Sequence, residues 1–288
     1  MPDPIFCRYA VTTGRQIRRP PVKRLLAAAL LVAATAAGPL AMAVEAEGPA
    51  AESFVVQGTS AGRADAIRDH AERFRNDVFA RLLGTVAPEA WAVRCVIHVH
   101  ASADSFAEAL GGGPSVARGA TSLQFVGDRV ISRRIDVMGD GSAIVPDSLA
   151  HEIVHVVLAD HFVAAAPPRW ADEGLALLFD DLEKQRAHEE DFRAAQRRRL
   201  AWSVADLLQL EEYPDDARRQ RVFYGQSAAL VRWLVARKDA AAFIRFLDDC
   251  QSTGTAAALR THYGIESVDA MGLAWRESPP IHAISLAD

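Results

Sequence analysis

The chain has 288 residues, half of them hydrophobic and 24% charged, with a formal net charge of −5. That length and apolar content allow a sizeable buried core and exclude a globally disordered chain. No internal repeat or heptad run is present, which excludes a solenoid or a coiled coil.

From the amino terminus, Arg15, Arg18, Arg19, Lys23 and Arg24 precede an uncharged Ala/Leu-rich run at 25–37. Gly38-Pro39 breaks that run, and Ala41-Met42-Ala43 offers small residues where a signal peptidase would cut. Residues 1–43 therefore read as an export signal, which places the mature chain in the periplasm or outside the cell without stable membrane insertion. The alternative is an uncleaved anchor, because 25–44 carries no charge and is just long enough to span a bilayer. Beyond residue 43 the chain keeps 26 basic and 36 acidic groups, about −10, which disfavours nucleic acid and anionic membrane surfaces as partners. Cys95 and Cys250 remain there, and a disulfide and two buried thiols are equally open readings.

A linker at 44–52 leads into an expected N-terminal α/β lobe at 53–145. Phe54-Val55-Val56-Gln57 reads as a strand ending at Gly58, and Ile67, Ala71, Phe74, Val78 and Leu82 recur at helical spacing up to Gly84. A strand follows at 93–101, with His98 and His100 two apart on one face; they are weighed as metal ligands and read as ordinary strand histidines. A short helix at 102–110 ends in Gly111-Gly112-Gly113-Pro114, which lacks the Lys-Ser/Thr of a phosphate loop. Segments 122–125 and 129–137 read as a hairpin across Gly127-Asp128, followed by a Gly-rich loop at 138–142.

The remainder, 146–278, reads as helices only, with a tail at 279–288, so the fold class is α+β: a small sheet-containing lobe, then a helical lobe, with the site between them. Pro146-Asp147 opens a helix that reaches 164–166 and stops at Pro167-Pro168. A second helix starts near Arg169 and runs into the apolar Leu175-Ala176-Leu177-Leu178-Phe179. The alternating charges of 180–199 suggest a solvated helix. Ser203 caps a short helix at 204–210, Tyr213-Pro214-Asp215-Asp216 is a turn, and Phe223-Tyr224-Gly225-Gln226-Ser227 runs into a buried helix reaching Val235. Helices at 240–249, 255–263 and 268–275 complete the chain.

The chemistry concentrates in His151-Glu152-Ile153-Val154-His155 and Trp170-Ala171-Asp172-Glu173-Gly174. Four positions on a helix put both imidazoles on one face, about 6 Å apart along the axis. A catalytic zinc site takes three protein ligands and leaves a fourth position for water, and His-His-Glu is one recurring set. Glu173 is the third ligand in this reading, because a carboxylate inside an apolar run is costly to bury without a cation. His151, His155 and Glu173 would then hold one Zn2+, leaving Glu152 to act as general base.

The pairing of HExxH with a WxxEG-type segment resembles the gluzincin metallopeptidases, the group that includes the thermolysin and membrane alanyl aminopeptidase families. The resemblance covers 146–234. It implies zinc on His151, His155 and Glu173, Glu152 as catalytic base, and hydrolysis of a peptide or protein substrate. It also makes Tyr224 a candidate for hydrogen bonding the oxyanion, and an edge strand near 131–137 a candidate for pairing with extended substrate. The chain departs from the pattern twice. No Gly-x-Met-Glu-Asn precedes the HExxH motif, and Leu177 stands four residues after Glu173, where thermolysin-like enzymes carry Asp. Two other functions stay open: an exported binding or scaffold protein that keeps the gluzincin fold without turnover, and zinc hydrolysis of a non-peptide amide or ester.

Overall fold

The alternating strand and helix patterns ahead of residue 140 build a mixed sheet, and among the described residues every regular element after it is a helix. The computed structural model describes residues 6–13, 52–111, 117–139, 143–279 and 286. The first part contains β1 (Phe6–Thr13), β2 (Phe54–Gln57), α1 (Ala61–Val78) with a π-helical turn at Phe79–Leu83, β3 (Cys95–His100), α2 (Ala103–Ala109), β4 (Ala117–Val126) and β5 (Arg129–Met138). Then come α3 (Leu149–His161), α4 (Arg169–Leu177), α5 (Leu182–Arg197), α6 (Val204–Leu208), α7 (Ala217–Arg237), α8 (Ala240–Thr253), α9 (Thr255–Tyr263) and α10 (Val268–Glu277). The fold class is α+β, as expected. Among the described residues no helix is long and apolar enough to cross a membrane.

The strands lie in the order β1-β4-β5-β3-β2, parallel throughout except for the β4–β5 hairpin. This order corrects one expectation. Residues 131–137 fall in β5, which is hydrogen-bonded to β3 on one side and β4 on the other, so it has no edge for a substrate. Beyond β4 lies β1, from the segment read as an export signal; no strand was expected there. Apart from these eight residues, the export-signal reading of 1–43 lies outside the described residues.

Period-two alternation sends Cys95, Ile97 and Val99 of β3 into the core. From α1, Ile67, Ala71, Phe74 and Val78 face the same core. Cys95 and Cys250 are free thiols on β3 and α8, the first buried and the second only half-buried, against the disulfide reading.

The central element is α3, whose residues from His151 to Ala159 are all buried. A helix buried all round lies in the middle of a core. Leu149, Ile153, Val154, Val157 and Leu158 are fully enclosed, each contributing about 1.5–3 kcal/mol of apolar burial. The helix ends at His161, short of the three alanines expected to extend it.

Two helices depart from their sequence reading. α7 begins at Ala217, ahead of Phe223, with Asp216 accepting the Arg219 N–H as its cap. α5 is not solvated all round, since Gln185, His188, Phe192 and Ala195 are buried along one face against α7. Between α4 and α7 the approach is close enough that a Cβ on Gly174 would come within 2.4 Å of Val231 Cγ2 and 2.7 Å of the Ser227 carbonyl oxygen. Gly174→Ala is therefore expected to destabilise the fold by about 1–3 kcal/mol through overpacking. Urea unfolding checks this, and an unchanged midpoint would contradict the close approach.

Candidate metal centre

The site is assembled by α3, α4 and the residues just after α4. His151 and His155 project from one face of α3, their ring centroids 4.8 Å apart. Glu173 comes back across them from α4, its Oε2 3.4 Å from His151 Nε2 and 3.8 Å from His155 Nε2. Among the described residues these three form the group of His, Cys, Asp and Glu able to hold a metal ion, with donor atoms within 4.8 Å of one another. Donors bound at about 2.1 Å with tetrahedral angles stand roughly 3.4 Å apart, so two of the measured separations are already near that value.

Each imidazole is oriented from behind. Nδ1 of His151 lies 3.2 Å from Asp180 Oδ2, and Nδ1 of His155 lies 3.0 Å from Asp172 Oδ1. A carboxylate on Nδ1 fixes the tautomer that leaves Nε2 as the donor to a metal. Asp172 and Asp180 thus each take a histidine of their own. Leu177, where the resemblance would place Asp, is buried apolar core. The third donor is oriented as well, by the Tyr213 hydroxyl, which donates to Glu173 Oε1.

The electrostatics fit a cation. His151, His155, Asp172 and Asp180 are nearly or fully inaccessible, and Glu173 is 0% exposed. Burial opposes the charge on His151, but Asp180 and Glu173 outweigh it and hold its pKa well above the usual histidine range. Burial likewise opposes the charge on His155, and Asp172 and Glu173 still raise it. For Glu173 burial favours the neutral acid, yet the two histidines and the Tyr213 hydrogen bond lower its pKa. Three carboxylates in a dry interior thus draw positive charge. His151 Nε2 and Glu173 Oε2 are buried atoms without hydrogen bonds. Such groups cost about 1–3 kcal/mol each, a cost that a shared metal ion removes. The donor set therefore fits a metal.

Glu152 is 0% exposed and outside the donor group. Thr121 Oγ1, on β4, donates to its Oε2 at 2.7 Å. Two residues earlier on the same face of β4, a Cβ on Gly119 would fall 2.2 Å from Glu152 Oε1, so glycine there leaves the carboxylate room to lie against the strand. Ser148 ties the start of α3 to β4 through the Arg118 carbonyl oxygen at 3.0 Å.

Tyr224 is buried on α7, its ring 6.2 Å from Tyr213 and 6.0 Å from His188. It stacks on the tyrosine whose hydroxyl holds Glu173. Burial pushes the His188 imidazole down to about 4, so it is neutral near pH 7. Sequence reasoning missed Tyr213, Thr121, Gly119 and His188. His98 and His100 stand apart from the centre: His100 Nε2 lies 2.7 Å from Asp136 Oδ1, and Asp136 also accepts from Arg134.

No family model matches this chain, and no curated protein or solved structure matches it.

Proposed function

We propose that this protein is an exported zinc-dependent peptidase of the gluzincin type. The observation that carries this reading is the convergence of His151, His155 and Glu173 in a buried cluster, with a separate carboxylate on each imidazole. The order of elements brings these groups together: a hairpin, then the helix bearing both histidines, then a helix returning with the carboxylate.

His151, His155 and Glu173 would hold the ion. Bound zinc supplies a Lewis acid that polarises a carbonyl and brings the pKa of water toward about 7. Glu152, held by Thr121, accepts the proton of the attacking water and returns it to the leaving amine. Asp180, Asp172 and Tyr213 keep the three donors in place, and Tyr224 is the candidate hydrogen-bond donor to the oxyanion. A substrate backbone added to the sheet would lie along the outer edge of β4, the strand carrying Gly119 and Thr121. β1 occupies that edge in this structure, and cleavage of 1–43 would clear it.

The test is a peptide library digested by purified protein that is zinc-loaded, chelator-stripped or zinc-restored, with products read by mass spectrometry. Cleavage that disappears on stripping and returns with zinc is expected. A zinc-loaded sample that cleaves no peptide would leave a metal-bearing binding protein as the better reading.

A further inference from the structure

A second site lies among α5, α6, α7 and α10, away from the residues of the metal centre. It is a cavity of about 920 Å3, within the range of about 300–1,000 Å3 common for small-molecule pockets. Its wall includes Trp202, Trp233, Trp275 and Phe192, the last two stacked at 5.5 Å with their planes 6° apart.

The wall also carries a buried charge that lacks a direct ion pair. Arg232, on α7, is only 2% exposed. Among the described residues its one hydrogen bond runs from Nη2 to Gln185 Oε1 at 3.2 Å, and its Nε has no partner there. Among the described residues it forms no ion pair. Glu189 lines the same cavity, but Arg193 engages its carboxylate. In all, three arginines and two acids line the wall, leaving an excess of positive charge. Glu189 offsets the Arg232 charge only at a distance, and a buried guanidinium that has no direct carboxylate and borders a large cavity gains one when an anion enters. Arginine's planar fork suits a carboxylate, which it can hold through two parallel hydrogen bonds.

We propose that this cavity binds a small organic carboxylate with an aromatic body, its acid group paired to Arg232 and its ring packed among Trp202, Trp233 and Trp275. The aromatic walls supply apolar contact, while Arg232 selects for negative charge. A chain of hydrogen bonds nevertheless links this wall to the metal centre. Gln185, which accepts from Arg232, donates from Nε2 to the Asp180 backbone oxygen at 2.9 Å, and the Asp180 side chain holds His151. Neither the proposal nor its test depends on peptidase activity.

The probe is naphthalene-2-carboxylate, with 2-naphthamide as its uncharged counterpart, titrated calorimetrically into the full chain. Wild type is compared with Arg232→Gln and with Ala229→Phe, which pushes a ring into the cavity from its wall. The carboxylate is expected to bind one per chain and at least tenfold more tightly than the amide. Arg232→Gln should erase that preference, and Ala229→Phe should abolish binding of both. Equal affinity for acid and amide, an absence of saturable binding by wild type, or undiminished carboxylate binding by Arg232→Gln would each overturn the site. Thermal melts accompany the titrations. If Arg232→Gln proves unfolded, Ala229→Phe decides, and unchanged carboxylate binding in that variant refutes the proposal.

Discussion

Glu152→Gln is expected to lower peptide hydrolysis by about 10²–10⁴-fold while leaving bound metal at the wild-type stoichiometry. The substitution is nearly isosteric and removes only the ability to take a proton. The Thr121 hydroxyl that donates to Glu152 Oε2 can donate equally to an amide oxygen, so the side chain keeps its position. Stability should change little, because a neutral amide is easier to bury than a carboxylate at a position with no exposure. Metal content is the informative control: Glu152 lies outside the donor group, so losing its charge should not release the ion. The measurement is kcat/KM on one cleaved peptide beside metal analysis of the same sample. Wild-type turnover by metal-loaded Glu152→Gln would remove Glu152 from the reaction, whatever the status of the metal.

The cluster able to hold a metal ion was legible because its members are local or nearly so. His151 and His155 stand one helical turn apart, and Glu173 stands on the next helix, inside an apolar run that made its carboxylate conspicuous. The groups that orient these donors were legible only as types. Asp172 and Asp180 both lie within reach along the chain, and nothing in their spacing says which imidazole each will face. Tyr213 left no signal at all, since it sits in a loop 40 positions from Glu173 and is brought there by the packing of α4 against α7. His188 was hidden differently. The buried stripe Gln185, His188, Phe192 and Ala195 has helical spacing, but two of its four members are polar, so hydrophobic periodicity does not reveal it. Sheet order was also beyond the sequence. The β4–β5 hairpin follows from a short turn, whereas insertion of β5 beside β3 depends on pairing between residues far apart in the chain.

Glu173→Ala is expected to weaken zinc binding by more than the ~10–100-fold typical of losing a group that only orients a ligand, because it removes a donor itself. The effect should appear in stability with a sign that separates it from general damage. Zinc that binds only the folded chain stabilises it by about 2.7 kcal/mol at a free concentration one hundred times its Kd. Wild type should therefore melt at a higher temperature as zinc is added, and the variant should lose that shift. In the absence of metal the variant also loses the Tyr213 hydrogen bond and the carboxylate beside the two histidines, so its metal-free melting temperature is expected to fall as well. The separating observation is the response to zinc, present in wild type and absent in the variant. Binding should also release protons in wild type, because Asp180 and Glu173 hold His151 charged without metal and coordination requires its neutral form. A zinc titration of Glu173→Ala that reproduced wild-type affinity would show that the two imidazoles recruit their third donor elsewhere, and the convergence on which the peptidase reading stands would then have no chemical role.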